Sequence, residues 1–115
     1  MCGIAGILDP KATGDLGGIA HMMASRLVHR GPDGGDVWVD NEAGVALGHR
    51  RLAIIDLSEA GHQPMISSCG RMVLSYNDEI YNAPELRAEL VAKGRVFRGR
   101  SDTEVIVEGA AEWGL

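Results

Sequence analysis

Met1-Cys2-Gly3-Ile4-Ala5-Gly6-Ile7-Leu8 opens the chain, and Asp9-Pro10 closes the run. The apolar stretch from Gly3 to Leu8, bounded by a turn-forming pair, reads as a buried strand that begins almost at the amino terminus and ties that terminus into the fold. Beyond it, from Asp15 to Val28, Leu16, Ile19, Ala20, Met23, Ala24 and Leu27 recur at three and four, which predicts an amphipathic helix in spite of Gly17 and Gly18. His29-Arg30-Gly31-Pro32-Asp33-Gly34-Gly35 breaks that helix. Val37-Trp38-Val39 and the stretch from Gly44 to Ile55 read as strands joined through Asp40-Asn41-Glu42-Ala43-Gly44, and Met72 to Tyr76 as another short strand, so the sheet is expected to be antiparallel. Pro84 in a first turn, followed by Leu86, Leu90 and Val91 and ending at Lys93-Gly94, predicts a second helix. Ser101-Asp102-Thr103-Glu104 has capping-box spacing, Ser101 to the Glu104 amide and Glu104 back again, and opens a third helix that runs to about Trp113. The class implied is α+β.

A chain of 115 residues with 45% hydrophobic and 23% charged residues suits one soluble globular domain. With a net charge of -5 and its eleven Lys and Arg dispersed beside acids, it has no basic stripe for nucleic acid. No apolar run approaches the roughly 20 residues of a membrane-spanning helix, and the amino terminus lacks the basic region and long apolar stretch of a signal peptide. A cytoplasmic, reducing location is the expectation. Cys2 and Cys69 can pair once at most, so free thiols rather than a disulfide framework are expected, and Cys69 beside Gly70 reads as a plain thiol in a turn. His21, His49 and His62 lack metal-ligand spacing, and no metal is expected. Because no strand follows the last helix, the chain reads as part of a larger domain, with unpaired edges that favour self-association as a homo-oligomer or an adapted fold.

Cys2 is the candidate nucleophile. Removal of Met1 would leave it with a free α-amine, whose reference pKa of about 7.7–8.0 keeps a useful fraction neutral near pH 7 and able to accept the thiol proton. Nucleophile and base then share one residue, an arrangement suited to attack on an amide carbonyl, loss of ammonia and hydrolysis of the thioester. Taken by itself, a second-position cysteine reads first as a small hydrophobe.

The surrounding motifs decide between these. Met1-Cys2-Gly3-Ile4-Ala5-Gly6, His29-Arg30-Gly31-Pro32-Asp33, Gly48-His49-Arg50-Arg51-Leu52-Ala53-Ile54-Ile55-Asp56, His62-Gln63-Pro64, Tyr76-Asn77-Asp78-Glu79-Ile80-Tyr81-Asn82 and Ser101-Asp102-Thr103-Glu104 resemble, in order, the motifs of the asparagine synthetase family of class II glutamine amidotransferases. The resemblance covers residues 1–115 and matches the front portion of that family's type-2 glutaminase domain. It implies an N-terminal nucleophile hydrolase fold, an αββα sandwich of antiparallel sheets between helices, incomplete here. The implied reaction is hydrolysis of L-glutamine, with the ammonia passed to an acyl-adenylate, most simply β-aspartyl adenylate. An ATP- and Mg-dependent synthetase domain, not within these residues, would make the adenylate; the glutaminase part itself needs no cofactor. A non-catalytic relic with an assembly or regulatory role is the alternative.

By the same resemblance, Arg51, Leu52, Ile54 and Ile55 would line the glutamine site, with the Arg51 guanidinium on the substrate carboxylate, a pairing that suits its planar fork of donors. Without the flanking motifs, Arg50-Arg51 reads as a solvated pair. Asp102 would bind the substrate ammonium, or serve only the helix terminus. Asn77 would supply one oxyanion donor and the next backbone N–H, that of Asp78, the other. The family has glycine where this chain has Asp78, whose Cβ would penalise a positive φ and whose charge would oppose an oxyanion. Glu79 would reach the substrate amine or stay solvated. His29, Arg30 and Asp33 are expected to brace the site loop through the Gly31-Pro32 turn.

Overall fold

The computed structural model describes residues 1–52 and 58–115. Strand β1 (Gly3–Leu8) and strand β2 (Gly34–Asp40) each pair antiparallel with β3 (Val45–Arg51), giving the sheet order β1-β3-β2. The register sets Gly3 opposite Arg50 and Gly34 opposite Arg51. Cys2 therefore emerges at the end of β3, next to Arg51 and Leu52.

Helix α1 (Leu16–Ser25) covers one face of this sheet, its first turn held by the Asp15 carboxylate, which accepts from Gly18 N at 2.9 Å. Leu16, Ala20 and Ala46 form the core here, with Ile7, Ala12 and Val37 around them. Small residues allow the close approach: a Cβ on Gly48 would lie 3.0 Å from the Ala20 carbonyl oxygen, and one on Gly3 would lie 2.7 Å from Leu27 Cβ. Because side chains alternate along a strand, Ala46 and Gly48 face α1 while His49 and Arg51 point to the opposite side.

Strands β4 (Met65–Ile66) and β5 (Val73–Leu74) form a separate two-stranded antiparallel sheet. Helix α3 (Asp102–Trp113) packs on it and on α2 (Ala83–Ala92), around Ala83, Leu90 and Val105 with Ile80, Leu86 and Phe97. Two buried carboxylates of α3 hold the neighbouring loops. Glu108 accepts from Ser68 N and Oγ at 2.5 and 2.8 Å, and Glu104 from Arg98 N and Gly99 N at 2.6 and 2.9 Å.

All three helices form where the periodicity places them, with shifted limits. Helix α1 stops at Ser25, short of Val28, because the chain tightens into bonds from Leu27 N to Ala24 O and from Arg30 N to Leu27 O before Gly31. Half of the capping box is present, Glu104 N donating to Ser101 Oγ at 3.3 Å, but the Glu104 carboxylate reaches back past Ser101 to the two loop amides. Strand β5 is only two residues long because the Tyr76 amide turns to the Gln63 side chain instead of a ladder partner. The end of the expected third strand, from Ala53 to Ile55, lies outside the described residues.

The loop before β2 is clamped to β3. Arg50 Nε donates to the Gly31 carbonyl at 3.0 Å, and Asp33 N donates to the Arg51 carbonyl at 2.9 Å. A Cβ on Gly31 would sit 2.4 Å from the Arg50 carbonyl group and 2.6 Å from Arg51 N. Gly31→Ala should therefore cost about 1–3 kcal/mol in urea denaturation. Gly14→Ala, where nothing lies within 4 Å of the added Cβ, should stay within about 0.5 kcal/mol.

His49 links the two halves. It is 1% exposed, its Nε2 lies 3.4 Å from the Tyr76 carbonyl oxygen, and its Nδ1 is buried without a partner among the described residues. Burial pushes its pKa below the ordinary 6.5; the Tyr76 carbonyl opposes this, and the positive Arg51 and His62 reinforce it. The unfolded chain binds a proton here near pH 6.5 while the folded one resists it, so stability is full above that pH and falls as pH drops towards the lower folded value. Thermal midpoints measured from about pH 7.5 down to about pH 5 should decline, and His49→Gln should flatten the decline; an equally steep profile in that variant would assign the effect elsewhere.

Candidate active site

Strand β1 fixes the Cys2 backbone, and Leu52 fixes its side chain. Leu52 N donates to Cys2 Sγ at 3.3 Å, and the thiol in turn lies 3.6 Å from the Leu52 carbonyl oxygen. On the other side, Cys2 N donates to Asn77 Oδ1 at 2.9 Å. That bond orients the carboxamide: with Oδ1 engaged, its NH2 is the end left to meet a developing negative charge. Cys2, Gly3, Ile4, Leu27, Arg30 and Asn77 line a cleft at this point, and Met1, His29, Arg30, Pro32 and Leu52 line a second, more open one.

Arg30, read from sequence as part of a brace, thus lines both clefts, whereas the bracing itself is done by Arg50, Gly31 and Asp33. Arg51 is buried at 9% exposure, and its Nη1 donates to the Ser58 carbonyl at 2.9 Å. The register places it beside Cys2, and its guanidinium is engaged with Ser58. Ile54 and Ile55 lie outside the described residues.

The loop after β5 brings in the remaining expected residues. Asp78 does not have a positive φ, so the backbone strain expected from replacing glycine does not arise. Its Oδ1 instead accepts from Glu79 N at 2.9 Å, a local bond that glycine could not make. Asp102, in the first turn of α3, accepts from Ile80 N at 2.7 Å through Oδ2, and so ties the far end of this loop to the helix. Ser101 provides the helix cap, as expected, and leaves Asp102 to the loop. The Tyr76 hydroxyl has a raised pKa, first from burial and then from the negative charges of Asp78 and Asp102. Both carboxylates therefore act electrostatically on the residue preceding Asn77.

One participant had no assigned role in the sequence. Gln63 accepts from Tyr76 N at 2.6 Å and donates to Thr103 Oγ1 at 2.9 Å. Its only signal was membership of the His62-Gln63-Pro64 motif. Among the described residues, no group of three or more His, Cys, Asp and Glu is arranged to hold a metal ion, and no helix is long and apolar enough to cross a membrane.

Comparison with known proteins identifies the family. The family model of the glutamine amidotransferase domain matches residues 1–115. The chain is 40% identical over 122 residues to the glutamine-hydrolysing asparagine synthetase 3 of Bacillus subtilis, covering 98% of this chain and 18% of that protein. It is 43% identical over 110 residues to asparagine synthetase 1 of the same organism, covering 93% and 17% respectively. To the probable glutamine-hydrolysing asparagine synthetase of Dictyostelium discoideum it is 40% identical over 109 residues, covering 93% and 19%. The chain thus spans less than a fifth of the length of each of these relatives. A match along its whole length and these homologues show that the chain belongs to the glutamine amidotransferase domain family, with glutamine-hydrolysing asparagine synthetases among its relatives.

Proposed function

We propose that this domain hydrolyses L-glutamine to glutamate and ammonia with Cys2 as nucleophile, and that it is the front portion of the glutaminase domain of an asparagine synthetase. The observation that carries this reading is the bond from Cys2 N to Asn77 Oδ1 at 2.9 Å, made across 75 positions of sequence beside a thiol held by Leu52. With Met1 in place the Cys2 nitrogen is an amide, so the reactive form is the chain that begins at Cys2.

In that form the α-amine takes the thiol proton, and sulfur attacks the side-chain carbonyl carbon of glutamine. The resulting oxyanion is met by the Asn77 NH2 and the Asp78 N–H. Collapse breaks the C–N bond, and the proton on the amine goes to the departing ammonia, leaving a glutamyl thioester. Water then adds to the thioester, glutamate leaves and the thiol is restored. Arg51 and Leu52 stay with the substrate site, with Arg51 or the cleft-lining Arg30 facing the α-carboxylate and Asp102, Asp78 and Glu79 forming a negative pole for the ammonium. The helix α1 on one sheet and α3 on the other are consistent with the αββα arrangement of N-terminal nucleophile hydrolases. The ammonia acceptor is aspartate activated by ATP, or a related acyl group, on a synthetase domain outside these residues.

A glutamine-mimicking diazoketone should label Cys2 but not Cys69 in protein freed of Met1, and excess glutamine should protect. Absence of label at Cys2 in folded protein would favour a non-catalytic role for the domain. Asp78 presents a charge near the oxyanion. Asp78→Asn, which keeps an acceptor for Glu79 N, should raise kcat for glutamate release roughly fivefold, equivalent to about 1 kcal/mol of relieved repulsion. An unchanged kcat would show that the Asp78 charge does not reach the reacting atoms.

A further inference from the structure

We propose that Gln63 is a positioning residue for Asn77, acting through the Tyr76 peptide. Its catalytic consequence rests on the glutaminase reading above. Gln63 is 7% exposed, and both ends of its carboxamide are engaged: Oε1 accepts from Tyr76 N at 2.6 Å, and Nε2 donates at 2.9 Å to Oγ1 of Thr103, itself 5% exposed. On the other side of the same residue, the Tyr76 carbonyl oxygen faces His49 Nε2 at 3.4 Å. The backbone immediately before Asn77 is therefore held between a side chain of β3 and one anchored on α3. The next residue of α3 towards its start, Asp102, holds Ile80 N at 2.7 Å. Adjacent positions on one helix thus fix both ends of the loop from Tyr76 to Ile80, the Gln63 bridge at the Asn77 end and Asp102 at the other.

The loop itself has no ladder partner, since β5 ends at Leu74. Without the bridge, the Tyr76 amide would lose its acceptor and turn towards water, leaving the His49 contact alone to hold the backbone before Asn77. Asn77 would turn with it, and its NH2 would leave the line to the Cys2 substrate carbonyl. The ammonium contacts proposed for Asp102 and Glu79 lie beyond the moved peptide, so on that reading the loss falls on the transition state more than on binding.

Gln63→Met preserves length and removes both hydrogen bonds. It should lower kcat for glutamate release about 100-fold, as expected for displacement of a reacting group by about 1 Å, with KM within about threefold of the unaltered protein. The pair Thr103→Val and Thr103→Ser separates the bond from bulk: the valine variant should lose kcat, and the serine variant, which keeps the hydroxyl, should recover it. The Asn77 side-chain amide resonances should shift in Gln63→Met and Thr103→Val but not in Thr103→Ser, whether or not the protein turns over. A kcat within twofold of the unaltered value in Gln63→Met and Thr103→Val, or equal behaviour of the two Thr103 variants, would overturn the proposal. If the unaltered protein releases no glutamate, the glutaminase reading has failed, and the Asn77 resonances decide the positioning role alone. If Gln63→Met does not fold, the Thr103 pair decides it.

Discussion

The pairing of β1 with β3 is the constraint on which everything else depends. A strand that starts at the third residue, with Gly3 opposite Arg50, leaves Cys2 as the first residue beyond the ladder. It cannot drift without breaking sheet hydrogen bonds, and Leu27 pressed against Gly3 prevents the terminus from lifting towards α1. A nucleophile on an ordinary amino-terminal tail would spend most of its time away from any partner, because fixing a free residue costs about 1–2 kcal/mol of conformational entropy. Here that cost is met by the sheet before any substrate arrives.

The two faces of the sheet differ in kind. Ala46 and Gly48 on the side towards α1 meet Ala20 and Ala24 of the helix, and these small volumes bring helix and strand into contact. The opposite side carries His49 and Arg51, both buried and both directed at backbone carbonyls, those of Tyr76 and Ser58. Polar side chains so placed are selective about what they accept, because a buried donor without an acceptor costs about 1–3 kcal/mol. The same logic holds at Gln63, Glu104 and Glu108, each of which captures loop amides that have no ladder to join.

Local features were legible in the sequence, and long-range ones were legible only as motifs. The strand from Gly3 to Leu8, the Ser101 cap and the end of α2 just before Lys93-Gly94 follow from neighbouring residues, so periodicity and capping chemistry suffice to place them. The strand at Met72 to Tyr76 was read too long because the competing acceptor for the Tyr76 amide lies at Gln63, thirteen positions back on another segment. The proximity of Cys2 and Asn77 came through resemblance, since no periodicity links residues so far apart. Which arginine lines the Cys2 cleft was not legible either: Arg30 and Arg51 are of one chemical type, and Arg51 is engaged with the Ser58 carbonyl. At Asp78, the sequence rule about glycine assumed a left-handed backbone, whereas the aspartate adopts an ordinary one and binds the next amide.

The bond between Cys2 and Asn77 joins the second residue of the chain to a loop formed much later. Contacts of such high sequence separation are closed only after the intervening segments have ordered, since the loss of chain freedom precedes the gain. The sheet with α1 has its own core, and the hairpin with α2 and α3 has another. In a chain emerging from synthesis, Cys2 therefore has no Asn77 carboxamide to bond until the second core closes. The contact between Cys2 and Asn77 is thus complete only when both halves have docked.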